Sequence, residues 1–361
     1  MRIKNLNLKN FRNYRDESID FGGGLNVLFG RNAQGKTNCA EAVFYLCTGV
    51  SSRTKRDKQL IMHGKDCAEL SATAEGRYGN IEIYAKITET GREFRVNGNK
   101  ITRSADIMGN LFSVFFSPQE LRLIQDGPDE RRRFLNVSIS QLSKPYFTAL
   151  QRYNKILEQR NNLLKNRDLQ LVYETLPVWD AQLSKYAATV ACKRAEYIGM
   201  LAPLAQEAHL FLTDGGEVLT VSPEKKYKGS EAELEKRLFD ELSNSYERDI
   251  RLGFTASGPH RDDMDIEIDG ADAKTYASQG QTRTAALSVK LAEVEIFKQL
   301  SGEYPVLILD DVMSELDLPR RKKLVERTAG LQTILTCTHA ERVLYGKAAQ
   351  KIKIEGGAVK R

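Results

Sequence analysis

Apolar residues are spaced in three different ways along the chain. To about residue 115 they form short runs and alternations that predict strands at Met1–Leu8, Gly24–Phe29, Ile81–Ile87 and Glu93–Val96. Asn97-Gly98 is a tight-turn pair, so Glu93–Val96 and Lys100–Thr102 should form a hairpin. In the middle of the chain the spacing changes to threes and fours. Leu142, Tyr146, Leu150, Tyr153 and Leu157 follow it, as do Trp179, Leu183, Tyr186 and Val190, and a shorter series Leu234, Leu238 and Leu242. Each series predicts a helix. The polar break Lys165–Asp168 and the turn Asp214-Gly215-Gly216 should connect them. From about residue 252 strands return, with one long helix, and no internal repeat is visible.

Two stretches carry chemistry. Gly30-Arg31-Asn32-Ala33-Gln34-Gly35-Lys36-Thr37 fits G-x-x-x-x-G-K-[ST], between a predicted strand and the helix-like run Asn38–Leu46. There the backbone can curl so that its N–H groups face phosphate oxygens. Lys36 would reach the β- and γ-phosphates of ATP, Thr37 would ligate Mg²⁺, and the helix adds its positive end. Far downstream, Val306-Leu-Ile-Leu-Asp310-Asp311 is an apolar run ending in two acids. A buried strand there delivers Asp310 to the Mg²⁺ shell and leaves Asp311 to orient or deprotonate the attacking water. Lys36 and Asp310 must meet at one nucleotide. The expected fold is therefore an α/β, ABC-type P-loop ATPase head built from both chain ends (1–115 and 252–361), with a mainly helical insertion at 116–251.

Further stretches fall in the order of an ABC-type head. Ala277-Ser278-Gln279-Gly280-Gln281 opens the long helix and resembles the ABC signature, although Ser is also a plain helix cap. In the functional reading Ser278, Gly280 and Gln281 face a γ-phosphate. Ser314-Glu-Leu-Asp317 resembles the loop lining the interface between two heads. His339 ends a predicted strand at the place of a phosphate-sensing switch, and Gln119 in Ser117-Pro-Gln-Glu120 sits where a Q-loop glutamine would touch Mg²⁺ or water. An incidental loop His and a Pro-containing turn are the alternatives.

Composition narrows the class only slightly. The 361 residues predict two lobes rather than one core. With 41% hydrophobic and 28% charged residues the chain reads as globular, and a net charge of +6 permits nucleic-acid binding without requiring it. No run of 18 apolar residues and no signal-peptide pattern is present, which predicts a cytoplasmic protein without a membrane partner. Five scattered cysteines lack C-x-x-C spacing, and His63 with Cys67 supplies too few ligands for a zinc site. Arg53, Lys55, Arg56 and Lys58 cluster after the first helix, and Arg131, Arg132 and Arg133 form a second run. They are either solvated surface or salt-sensitive phosphate contacts to DNA.

Taken with Phe11-Arg-Asn-Tyr14, Ser52-Arg-Thr-Lys-Arg-Asp57, Ser117-Pro-Gln-Glu-Leu121, Gly127–Leu135 and Gly258-Pro-His-Arg-Asp-Asp263, these motifs make the chain resemble the RecF family of bacterial DNA-repair ATPases, relatives of SMC heads. The resemblance spans nearly the whole length. It implies an ATP- and Mg²⁺-dependent homodimer that binds double-stranded, gapped or junction DNA. It also implies work with RecO and RecR in placing RecA on gapped DNA coated by single-strand-binding protein. It tips the basic clusters toward DNA. The wider ABC class usually has Glu where this chain has Asp311, one methylene shorter, so hydrolysis should be slow. Two other classes share the head motifs. A transporter ATPase subunit would normally carry a shorter helical insert, and a nucleotide-switched structural module would lack useful turnover.

Overall fold

The computed structural model describes residues 1–340 and 349–360. A mostly parallel sheet stands at its centre. Its strand order is Ala358–Lys360, Gln350–Glu355, Leu25–Phe29, Thr333–Cys337, Val306–Asp310 and Ser113–Phe116, so both chain ends contribute neighbouring strands. The inner strands read as continuous apolar runs because both faces are buried. Val27, Val114, Phe116, Leu307, Leu309 and Leu335 point into one core, which holds Phe134, Tyr197, Leu287 and Phe297 from the helices. Leu28, Phe115, Val306, Ile308 and Ile334 point into the other, with Phe44 and Tyr45 of helix Lys36–Thr48.

The second core is closed by a six-stranded antiparallel sheet. Its strands Arg2–Phe11, Cys67–Gly76 and Gly79–Thr88 alternate Ile3, Leu6, Leu8; Ala68, Leu70, Ala72, Ala74; and Ile83, Ala85, Ile87 inward, with polar residues between them. Asn97 and Gly98 both take positive φ (49° and 77°) and join Arg92–Val96 to Asn99–Ile101, the turn that their sequence demands.

The periodic middle forms helices Pro128–Leu142, Lys144–Leu163, Leu169–Thr213 and Glu231–Ser243. The first series is divided differently from its spacing. Leu142 ends one helix and Ser143 caps the next, its side chain accepting from Tyr146 N at 3.2 Å. Strand Leu219–Pro223 also lies in this stretch and pairs with Met264–Ile268 in a small antiparallel sheet. The long helix Gln279–Ser301 packs against Leu169–Thr213 and against strand Ser113–Phe116, tying the helical lobe to the central sheet.

Candidate active site

Parallel pairing brings the sequence-predicted segments to one sheet edge. Phe29 lies opposite Cys337, Asp310 opposite Thr336, and Leu309 opposite Phe116. The segments that follow these residues, 30–37, 338–339, 311 and 117–119, therefore leave from the same edge, where open α/β sheets hold ligands.

Residues 30–37 curl between strand and helix. Lys36 is nearly buried, and its Nζ donates to the carbonyls of Gly30 at 2.7 Å and Arg31 at 2.8 Å. Burial lowers its pKa, and the neighbouring Asp311, Cys337 and Asp310 oppose this. Gly35 takes φ 115°, and a Cβ there would stand 2.8 Å from the Asn13 side chain. The loop is gripped from outside as well. Tyr14 Oη donates to Gly35 O at 2.9 Å, Asn13 Nδ2 to Gln34 O at 3.0 Å, and Gly357 N to Gln34 O at 2.9 Å. Arg12 forms a bidentate pair with the buried Glu41, both bonds 2.9 Å, one turn beyond Thr37 on the same helix.

Thr37 Oγ1 donates to Asp310 Oδ1 at 2.9 Å, and Thr336 Oγ1 donates to the same oxygen at 2.7 Å. Burial raises the Asp310 pKa; the two hydroxyl donors oppose this, and the neighbouring Asp311 adds to it. A hydroxyl and a carboxylate side by side at a phosphate loop fit Mg²⁺, which takes one or two protein oxygens and fills the rest of its octahedron with phosphate and water. A cation there would also satisfy the charge that two neutral donors leave unmatched. Asp311 is exposed, in the left-handed region at φ 55°, with its backbone N–H donating to Thr336 Oγ1 at 2.9 Å.

The remaining predicted residues fall into two groups. Gln119 and His339 are exposed at this edge, three residues past Phe116 and two past Cys337. Ser278, Gly280 and Gln281 do not approach residues 30–37 through any hydrogen bond among the described residues. Ser278 caps helix Gln279–Ser301 by accepting from Gln281 N at 3.2 Å, while Gln281 Oε1 accepts from Ser278 N at 2.9 Å. Ser278 and Gly280 are exposed, and Arg283 pairs with Glu315 at 2.7 Å, which places the turn Ser314–Asp317 beside this helix start.

The basic runs separate. Lys55 and Arg56 are exposed. Arg53 turns back to the phosphate-loop helix, its Nη1 donating to Asn38 Oδ1 at 3.0 Å, and its charge is felt at Asp310. Arg131 and Arg132, expected among the DNA contacts, are engaged by partners of their own chain. Arg131 is buried and clasps Asp263 with bonds of 2.6 and 2.7 Å, while Arg132 donates to Asp262 O at 2.8 Å and pairs with Asp129. The Arg131 guanidinium is consumed inside the protein, and that of Arg132 is engaged at the surface with an exposed acid. Arg133 stays half-exposed, with Nη2 on Ser52 O at 3.2 Å. Arg12, Asn13, Tyr14, Glu41 and Thr336 had no role assigned from sequence; Phe11–Tyr14 stood out only as a motif, and Thr336 lay in the predicted strand that ends at His339.

The family described as RecF/RecN/SMC N-terminal domain matches residues 2–359. A DNA replication and repair protein RecF from Acetivibrio thermocellus is 40% identical over 348 residues, 94% of each chain. Another from Ruminiclostridium cellulolyticum is 39% identical over 370 residues, 99% of each. The solved structure of the recombination mediator protein RecF-ATP in the RecFOR pathway superposes with a TM-score of 0.90 at 32% identity, covering 99% of this chain and 97% of that one. An SMC head bound to the C-terminal winged-helix domain of ScpA matches at 16% identity and a TM-score of 0.59, a likeness of fold alone.

Proposed function

The chain belongs to the RecF family and carries its ABC-type ATPase head, and from this premise we propose that it is an ATP-dependent DNA-binding protein of replication and repair. Lys36 and the N–H groups of residues 30–37 bind the phosphates, exchanging the Gly30 and Arg31 carbonyls for phosphate oxygens as partners of the ammonium. Thr37 and Asp310 hold Mg²⁺. Asp311 positions the attacking water and accepts its proton, with Gln119 and His339 as further groups at the edge. Bound MgATP supplies the phosphoanhydride whose slow, DNA-stimulated cleavage resets the protein.

One observation carries the reading: Thr37 and Asp310, from opposite ends of the chain, meet at 2.9 Å beside the phosphate loop. The exposed start of helix Gln279–Ser301 supports the finer claim of an ATP-dependent homodimer. Ser278 and Gly280 have free surface to offer a second head, and none of the described contacts places them on their own loop. Residues 1–115 and 252–361 then act as the head, and 116–251 as the insertion. Lys55, Arg56, Arg53 and Arg133 are the proposed contacts to duplex or gapped DNA. Kinship with proteins of the RecFOR pathway supports RecO and RecR as partners and RecA loading at single-stranded gaps as the outcome. No helix among the described residues is long and apolar enough to cross a membrane. ATPase assays with and without duplex DNA test the reading. DNA should raise turnover, and no turnover in either condition would contradict it.

A further inference from the structure

Gln281 is held from two sides. Its Oε1 accepts from Ser278 N at 2.9 Å, and its Nε2 donates to Glu217 Oε1 at 3.2 Å. A backbone N–H only donates and a carboxylate only accepts, so the amide fits between them in one orientation. Gln281 N in turn donates to Ser278 Oγ at 3.2 Å. The Ser278 hydroxyl hydrogen is spent on no bond among the described residues, which leaves it for an acceptor outside the chain. Glu217 therefore reaches the exposed start of helix Gln279–Ser301 through one side chain, that of Gln281.

Glu217 is placed by the turn before it. Asp214 and Gly215 take positive φ (55° and 76°), and Gly215 N donates to Leu210 O at 2.8 Å, so the chain folds back along the end of helix Leu169–Thr213. There the second carboxylate oxygen meets Nε2 of His209, a fully buried residue, at 3.2 Å. His209 Nδ1 lies 3.2 Å from Ser288 Oγ, which is buried on helix Gln279–Ser301 and donates to Thr284 O at 2.7 Å. Burial lowers the His209 pKa, and Glu217 opposes this. Beyond Glu217 the backbone is tied down: Val218 N donates to Asp269 Oδ1 at 2.8 Å, and Asp269 N to Val218 O at 2.9 Å. The same helix end also holds helix Leu318–Arg327, which follows the turn Ser314–Asp317. Lys323 pairs with Asp214 at 2.7 Å and Arg327 with Glu207 at 2.8 Å.

We infer that Glu217 is a positioning residue for the phosphate-binding helix start: seated on His209, it fixes Gln281 and through it Ser278, in the geometry offered to a nucleotide on a second head. The inference rests on the proposed ATP-dependent dimer. The capping arrangement supplies its physical basis. With Glu217 in place, Gln281 is anchored at both ends of its amide, and the first turn is held with Ser278 Oγ accepting and its hydrogen free. Without it, one end of the amide is loose and the first turn of the helix is less fixed. The cost then falls on association, because the phosphate loop and its Lys36 are elsewhere on the same head and keep their own contacts.

The test uses the full chain. Analytical ultracentrifugation over a concentration series in saturating ATP gives the dimer Kd, and titration of a fluorescent ATP analogue at low protein concentration gives the affinity of the monomer. Glu217→Ala and Glu217→Met, which remove the acceptor, should weaken dimerisation about fivefold or more, with monomer affinity unchanged. Their melting temperatures should stay within about 3 °C of the parent's. Glu217→Gln keeps an acceptor for Gln281 and a donor for the His209 ring. It should dimerise as tightly as the parent, or more tightly for having lost a negative charge near the phosphate. Rescue by Gln and not by Met, side chains of similar length, is an effect that packing alone would not produce, and this pair decides the matter if Glu217→Ala melts early. Parental dimerisation in Glu217→Met would overturn this inference alone, and so would Glu217→Gln as weak as Glu217→Met. A parent chain that stays monomeric in ATP would overturn the proposed dimer with it.

Discussion

The Thr37 hydroxyl donates to the Asp310 carboxylate at 2.9 Å across 273 positions of sequence. Thr336 donates to the same oxygen from the strand between them in the sheet. Three segments are thus locked around one buried carboxylate whose direct hydrogen-bond donors are neutral hydroxyls. That arrangement costs stability when the site holds no cation and pulls the head together when it does.

Asp310→Asn should therefore raise the melting temperature of the nucleotide-free protein, by about 2–4 °C, while removing the Mg²⁺ dependence of ATP binding. Burial lifts the folded-state pKa of Asp310 above its unfolded value. The folded form then binds the proton more tightly, and the cost of ionisation grows as pH rises from the ordinary aspartate value of about 3.9. The advantage of Asp310→Asn should be full at neutral pH and vanish toward pH 4. Calorimetry of both proteins across that range checks the sign; an advantage that grows on acidification contradicts it.

Lys36→Ala should weaken ATP binding about 100-fold while leaving the chain folded, because the lost ammonium serves phosphates and two surface-edge carbonyls rather than the core. Isothermal titration alongside circular dichroism separates the two effects. Equal ATP affinity in a folded variant would remove the phosphate-loop assignment.

Gly357→Ala tests the outer grip on the loop. Gly357 has φ 76°, and an added Cβ would stand 2.2 Å from Asn13 O. The substitution should destabilise by about 2 kcal/mol and loosen ATP binding through Gln34, which Gly357 N and Asn13 both contact. Denaturant melts and nucleotide titration should move together. A stable variant with parental affinity would show that the contact of Gly357 with the loop is dispensable.

Asp311→Asn should retain MgATP and slow hydrolysis at least about 100-fold, the contribution of a positioned base. Single-turnover kinetics distinguish this from weaker binding. Hydrolysis at the parental rate would exclude the water-positioning role.

What could be read from the sequence follows from what each feature needs. The phosphate loop and the Val306–Asp311 run are local: spacing and buried apolar length suffice. Strand Tyr14–Asp20 escaped because it lies at a sheet edge and buries mainly Tyr14 and Ile19 among charges. Strand Cys67–Gly76 turns in mostly alanine, so its alternation is faint. Arg131 and Arg133 read alike in one run, yet Arg131 is spent on Asp263, 132 positions away, and Arg133 is not. Burial of a charge depends on partners that only the fold supplies. The same holds for Glu41, an ordinary helix acid until Arg12 and Ser51 close over it.

The central claim is that ATP joins two heads, with the phosphate loop of one facing the Ser278 helix start of the other. The γ-phosphate at Lys36 would lack donors on its open side until a second helix N-terminus supplies them. ATP should then bind the dimer more tightly than the monomer and drive association by linkage, and ADP should not. Ser278→Arg leaves Lys36 and Thr37 untouched, so it should bind ATP as a monomer. Analytical ultracentrifugation of the parent and Ser278→Arg, each with ATP, ADP or no nucleotide, measures this most directly. The account predicts a doubled mass for the parent in ATP alone and a monomer for Ser278→Arg throughout. A parental mass independent of nucleotide, at concentrations where ATP saturates, would contradict it.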